Sequence, residues 1–244
     1  MSINNIQSFI VSTLRFGLGW TAVPESKTPD KTLIMYEFEA CPFCRKAREA
    51  LTVLDLDYVC LTSARGSTSK RGALVARGGK AQFPYLIDPN TGVEMYESEA
   101  IITYLHDTYG QGRSGLIKRI APLNSLTSAI ASGVRATKGR AVREGLGDRA
   151  QPPKMLELYS FEISPYCRKV RERLHELNLD VLIRNVGKKG KRRPELLARG
   201  GKMMVPYLID PNTGVEMYES DEILAYLDAT YGAASLLEAS PAQA

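Results

Sequence analysis

The sequence predicts an α/β protein of two tandem copies of one unit, each ordered β-α-β-α-β-β-α behind an amphipathic helix. Three observations carry this. The second half repeats the first: Leu33-Ile34-Met35-Tyr36-Glu37-Phe38-Glu39 returns as Leu156-Glu157-Leu158-Tyr159-Ser160-Phe161-Glu162, and 84–92 returns unchanged as 206–214. Such self-similarity sets the domain count before any finer reading. Next, Cys41-Pro42-Phe43-Cys44 stands between an apolar run and a stretch where Ala47, Ala50, Leu51 and Leu54 recur at helical spacing. Last, Phe83-Pro84-Tyr85-Leu86-Ile87-Asp88 is joined to Val93-Glu94-Met95-Tyr96 by a turn too short for anything but an antiparallel pair. The first domain is placed at 1–122 with its core at 31–110, the second at 123–244 with its core at 154–232.

The elements follow in order. Ile3, Ile6, Ile10 and Leu14 give 3–16 an apolar helical stripe. Such a helix either packs on its own domain, targets the chain, or lies on a membrane surface. A weaker copy at 123–137 favours packing, because a targeting segment would not be duplicated with a domain. The first strand covers 33–37, the cysteine helix 42–54 and the second strand 58–61. A short helix ends at Gly78-Gly79. Pro84 sits at a strand start, where a missing N–H is tolerated. Glu97-Ser98-Glu99 reads as a helix start with Ser98 as the cap, and Gly110 as its end. In the second copy Pro194 is placed at the first position of the short helix. The segment 138–153 is polar, and the tail from 233 is small and polar.

Composition excludes several classes. With 244 residues, 44% of them hydrophobic, the chain has ample material for a core. A net charge of +5 suits anionic small molecules and does not require nucleic acid. Four cysteines are too few for a disulfide scaffold. No run of about 18 apolar residues is present to span a membrane.

The chemistry gathers at Cys41. A helix mouth offers free N–H groups and the positive end of the dipole, which stabilise a thiolate. Arg45 and Lys46 lie just beyond. Cys44, one turn on, is placed to resolve a mixed disulfide. Half a zinc site would need two more ligands, and His106, His175, Cys60 and Cys167 are not paired in sequence. No metal is expected, and Cys60 reads as a small core residue. The second copy carries Ser164-Pro165-Tyr166-Cys167, so its attacking sulfur is gone. The run Lys188-Lys189-Gly190-Lys191-Arg192-Arg193 either attracts an anionic partner or is a solvated loop.

These motifs, in this order, resemble glutaredoxins and the N-terminal domain of glutathione S-transferases, which share a thioredoxin-like fold. The chain is also similar to the thioredoxin-fold part of the prostaglandin E synthase type 2 group. The resemblance implies glutathione as cosubstrate, with Cys41 and Cys44 catalytic. It implies a cis bond before Pro84 and Pro206, with Phe83 or Val205 pairing its backbone to the cysteinyl part of glutathione. It implies that Glu97-Ser98 and Glu219-Ser220 hold the γ-glutamyl end, although the serines could equally be plain caps. Ser164, Cys167, Val205, Pro206, Glu219 and Ser220 then form a possible second site.

The function expected is a glutathione-linked thiol–disulfide oxidoreductase acting on disulfide or glutathionylated substrates in the cytoplasm or another reducing compartment. The second copy is expected to be degenerate. The alternatives are a non-catalytic glutathione- or protein-binding module, a transferase-like enzyme using Ser164, and an iron–sulfur carrier joining two chains through Cys41 and glutathione. Neither copy is followed by the all-helical domain of glutathione transferases, which argues against bulky electrophiles. Peripheral membrane contact through 3–16 stays open.

Overall fold

A computed structural model describes residues 21–22, 25–112 and 137–232. The amphipathic segment 3–16 and the tail from 233 lie outside the described residues, as does 123–137 except for its last residue.

The first copy runs β1 (Leu33–Glu37), α1 (Pro42–Val53), β2 (Tyr58–Thr62), α2 (Thr68–Gly78), β3 (Tyr85–Asp88), β4 (Val93–Met95) and α3 (Ser98–Tyr109). The second runs β5 (Leu156–Ser160), α4 (Pro165–Glu176), β6 (Val181–Asn185), α5 (Arg193–Gly200), β7 (Tyr207–Asp210), β8 (Val215–Met217) and α6 (Ser220–Tyr231). The β-α-β-α-β-β-α order therefore holds twice. Within each copy the crossover strands are parallel and the hairpin strands antiparallel.

All eight strands form one sheet, ordered β4-β3-β1-β2-β6-β5-β7-β8. The copies join where β2 pairs antiparallel with β6, Val59 facing Leu182. These two residues hold the same place in their copies. The joint therefore has the self-complementary form of a two-fold dimer interface, made here within one chain. It also closes two strand edges that would otherwise be open to other chains. Leu33, Met35, Leu51, Leu86 and Leu105 of the first copy share one apolar cluster with Leu156, Leu158, Leu174, Leu208 and Leu227 of the second.

The repeated Asp-Pro-Asn-Thr-Gly turn has a packing reason. Asp88 is fully buried and accepts from the Tyr104 hydroxyl at 2.6 Å, the Tyr109 hydroxyl, and the Asn90 backbone and side-chain nitrogens. Asp210 repeats this with Tyr226, Tyr231 and Asn212. Burial pushes the Asp88 carboxyl up, but these donors outweigh it and hold the group below its ordinary value. Asp88→Ala strands the buried Tyr109 hydroxyl and leaves that of half-buried Tyr104 only Thr91, and should cost about 1–3 kcal/mol in urea unfolding. Because the folded pKa is depressed, this stability exists above the unfolded pKa of about 4 and is lost as pH falls. The gap between parent and variant should therefore narrow in acid.

Gly78 and Gly200 answer a different constraint. A Cβ at either position would run into the hydroxyl of Tyr96 or Tyr218. Those hydroxyls donate to the Lys80 and Lys202 carbonyls, fixing the loops ahead of Pro84 and Pro206.

Three local expectations change. Ser98 does not cap its helix: it is the first helical residue, and Glu97 takes the cap position at φ 70° with no side-chain hydrogen bond. Pro194 lies one position into α5, after Arg193. The second half of the basic run at 188–193 is tied down, while Lys188 and Lys189 are exposed. The Lys191 amine bonds Ser26 and Thr28, Arg192 pairs with Asp57 and Glu195, and Arg193 donates to the Val186 carbonyl. The run clamps the second copy onto the first.

Candidate active site

Cys41 is the N-cap residue of α1, with Pro42 beginning the helix. A proline there loses no hydrogen bond that the helix would have used. The Cys41 Sγ accepts the Cys44 backbone N–H at 3.2 Å. The Cys44 thiol and backbone N–H, together with the Arg48 charge, hold the Cys41 thiol below its ordinary pKa against the push of burial. The depressed thiol was readable from the motif, but the source of charge was not. Arg48 supplies it, while Lys46 is engaged by Glu99. Cys44 has no exposed surface, and burial raises its thiol well above the usual range. The two sulfurs are thus set apart, one activated and one held protonated. Cys41 itself is only 4% exposed.

The other predicted residues of the first copy converge on this helix mouth. Tyr85 pairs with Tyr36, so the segment entering β3 lies beside the turn that follows β1. Phe38 of that turn meets Phe83 edge-on at 5.7 Å, and the Arg71 guanidinium covers the Phe83 ring at 4.8 Å. The Phe83-Pro84 bond is cis, as is Val205-Pro206. Gln82 donates to the Glu97 carboxylate at 2.5 Å, and the ion pair of Lys46 with Glu99 ties the start of α1 to that of α3. Glu97 and Glu219 both sit at positive φ, 70° and 64°. Left-handed backbone at a side-chain-bearing residue carries a cost and tends to mark a functional turn.

In the second copy Val205, Pro206, Glu219 and Ser220 line one cavity of about 290 Å³ with Tyr166, Met204 and Tyr218. The last three were missed in the sequence. Tyr166 was within reach, since it matches Phe43 inside the motif, which is 54% exposed. Ser164 caps α4 and accepts the Cys167 N–H at 3.3 Å. Ser164 is 4% exposed and Cys167 not at all. The scaffold of the cysteine site is therefore kept with a hydroxyl in place of the sulfur. Met204 replaces Gln82, so Glu219 lacks the partner that Glu97 has.

One family model, the N-terminal domain of glutathione S-transferase, matches residues 35–113 and again 158–235. The chain belongs to that family, with two such domains. No curated protein matches the chain. Among solved structures, a Bombyx mori glutathione transferase is 24% identical over 35% of this chain and 39% of its own, with a TM-score of 0.31. A trimeric Leishmania glutathione transferase is 14% identical over 82% of this chain and 67% of its own, with a TM-score of 0.32.

Glu37, Cys60 and His175 bring donor atoms within 4.8 Å of one another in the buried joint between the copies. Glu37 already accepts from Arg48 and Tyr58, and burial raises the Cys60 thiol well above its usual range. Burial lowers His175 to about 3. A metal there would have to displace Arg48 and strip a resistant proton, so the trio reads as core packing. Among the described residues, no helix is long and apolar enough to cross a membrane.

Proposed function

We propose that the first copy is a glutathione-linked thiol–disulfide oxidoreductase and that the second holds glutathione without redox chemistry. The observation that carries this reading is the Cys41 thiol at the α1 cap, bonded by Cys44 and held below its ordinary pKa. The Cys41 thiolate attacks the glutathione sulfur of a mixed disulfide and expels the substrate thiolate, which takes a proton. A second glutathione thiolate then attacks the glutathione sulfur on Cys41, forming oxidised glutathione and freeing Cys41. Alternatively the Cys44 thiol, giving its proton to the leaving glutathione thiolate, attacks the Cys41 sulfur, releasing glutathione and leaving a Cys41–Cys44 disulfide. Both routes need a reducing compartment to regenerate the thiol.

Phe83, Pro84, Glu97 and Ser98 supply the glutathione contacts of the first copy in this reading. The uncapped start of α3 leaves backbone N–H groups for a carboxylate. Val205, Pro206, Glu219 and Ser220 supply those of the second. The cavity there favours a binding role alongside the redox one.

The test uses the full chain and a peptide carrying glutathione on a cysteine. Release of the free peptide, followed by mass spectrometry, should depend on added glutathione and be lost in Cys41→Ser. Glutathione binding by calorimetry without any release would replace the enzyme reading with the binding one.

A further inference from the structure

The turn that delivers Cys41 is gripped from the other copy. It is closed by the Cys41 N–H donating to the Phe38 carbonyl at 3.1 Å. Between these residues lies Glu39, 1% exposed, whose carboxylate points into the joint. Arg171 of α4 holds it with a two-pronged grip, Nε to one oxygen at 3.0 Å and an Nη to the other at 3.2 Å. The same guanidinium bonds the Ser160 hydroxyl at 3.0 Å and the Glu162 carbonyl at 3.2 Å, so it is anchored before it reaches Glu39. Arg48 performs the reciprocal act. It donates to both Glu162 oxygens, at 2.8 and 3.2 Å, and Glu162 stands two residues before Ser164. Each copy thus lends an arginine to the turn ahead of the other copy's nucleophile position.

We propose that Arg171, supplied by the second copy, is a positioning residue for the Cys41 nucleophile of the first. The inference rests on the redox reading of Cys41 given above. A two-pronged guanidinium–carboxylate pair fixes orientation as well as distance. Here it fixes the turn that places the Cys41 Sγ on the Cys44 N–H and Phe38 against Phe83. The charges around that turn are Arg45, Arg48 and Lys46 on α1, Arg168 and Arg171 on α4, Glu37 on β1, and Glu39 and Glu162 on the turns. Without Arg171 the Glu39 carboxylate, two residues from the sulfur, keeps only the longer contacts of Arg48 at 3.3 Å and Arg168 at 3.9 Å, neither of them a two-pronged grip. The turn relaxes, the cap bond lengthens, and a less fully compensated negative charge opposes the thiolate. This gives the second copy a task although its own sulfur is gone: the first site is incomplete without it.

The experiment is peptide-resolved alkylation of Cys41 against pH in the full chain, with Arg171→Met, Arg171→Lys and Lys70→Met. Lys70 pairs with Asp180 at 2.7 Å in the same joint and bonds Thr62 and Asn178, none of which belongs to the cysteine turn. Arg171→Met should raise the Cys41 midpoint by about one pH unit, a tenfold loss of thiolate below it. Arg171→Lys keeps the charge without the fork and should fall between; Lys70→Met should leave the midpoint in place. If Arg171→Met does not fold, Arg171→Lys carries the test alone. An unchanged midpoint in the folded Arg171 variants overturns the proposal, as does an equal shift in Lys70→Met. A parent midpoint at or above that of a free cysteine would instead overturn the redox reading itself.

Discussion

Arg48→Met will destabilise the chain by about 3–5 kcal/mol, the range for removing one partner of a buried ionic group. The side chain is 2% exposed and meets Glu37, Glu39 and Glu162 at once. Methionine fills much of the volume, so the cost comes from stranded carboxylates rather than a cavity. Arg171 still reaches Glu39 and Glu162, which leaves Glu37 the most exposed to the loss. Adding Glu37→Gln to Arg48→Met should recover part of the stability, since the most stranded charge is removed. Urea unfolding of the parent, both single variants and the double completes the cycle.

The same network sets a pH dependence. Burial pushes Glu39 and Glu162 up, but Arg171 and Arg48 outweigh it and hold both carboxyls below their ordinary range. A carboxyl depressed in the folded state contributes stability above its unfolded pKa, about 4.3, and loses it as pH falls toward the folded value. Glu37, raised by burial, titrates in the opposite sense and offsets part of this. With two carboxyls depressed against one raised, the parent should weaken in acid, and the deficit of Arg48→Met should be largest near neutrality and shrink below about pH 4. A deficit of constant size across that window would mean that the cost is packing, and the ionic account of the joint would fail.

The joint also explains which parts of the molecule could be read from the chain alone. The apolar stripe of α1 was legible, and Ala47, Ala50, Leu51 and Leu54 are all buried. Its polar face reads as solvated by periodicity, yet Arg45, Lys46, Arg48 and Glu49 are buried too. Periodicity describes a helix against one core and is blind to a second copy docking on the opposite face. The clue lay in the repeat: Glu39 and Arg48 return as Glu162 and Arg171, and Asp57 returns as Asp180. Those are the groups that cross the joint, where Asp180 takes the Thr62 N–H and Asp57 the Asn185 N–H. The anchoring of Lys191 and Arg192 in the basic run was hidden for the same reason, their partners Asp55 and Asp57 being remote in sequence. The cysteine motif was legible because its chemistry is local, set by a cap, a proline and the next turn. The cap at Ser98 was misplaced because a positive φ at Glu97 has no signature in residue type.

Cys41→Ser will abolish thiol–disulfide turnover, and Ser164→Cys added to it will restore a measurable part. The first half follows from the chemistry: a hydroxyl at the cap cannot supply the thiolate that the exchange requires. The second half follows from the scaffold. Ser164 already caps α4 and accepts the Cys167 N–H, as Cys41 accepts that of Cys44. Val205-Pro206 is cis, Glu219 repeats the turn of Glu97, and the cavity is lined. A sulfur at 164 would meet the same donor, with Arg171 standing where Arg48 stands in the first copy. Cys41→Ser with Ser164→Cys, assayed on a glutathionylated peptide, should recover a few per cent of the parent rate or more. Ser164→Ala alone should leave turnover near the parent, because the hydroxyl takes no part in the first site. No rescue in a folded double variant would mean the second copy has lost the geometry for exchange and serves only to hold the first. A large loss from Ser164→Ala would be the more damaging result, since it would place working chemistry at the serine and move the active site to the second copy.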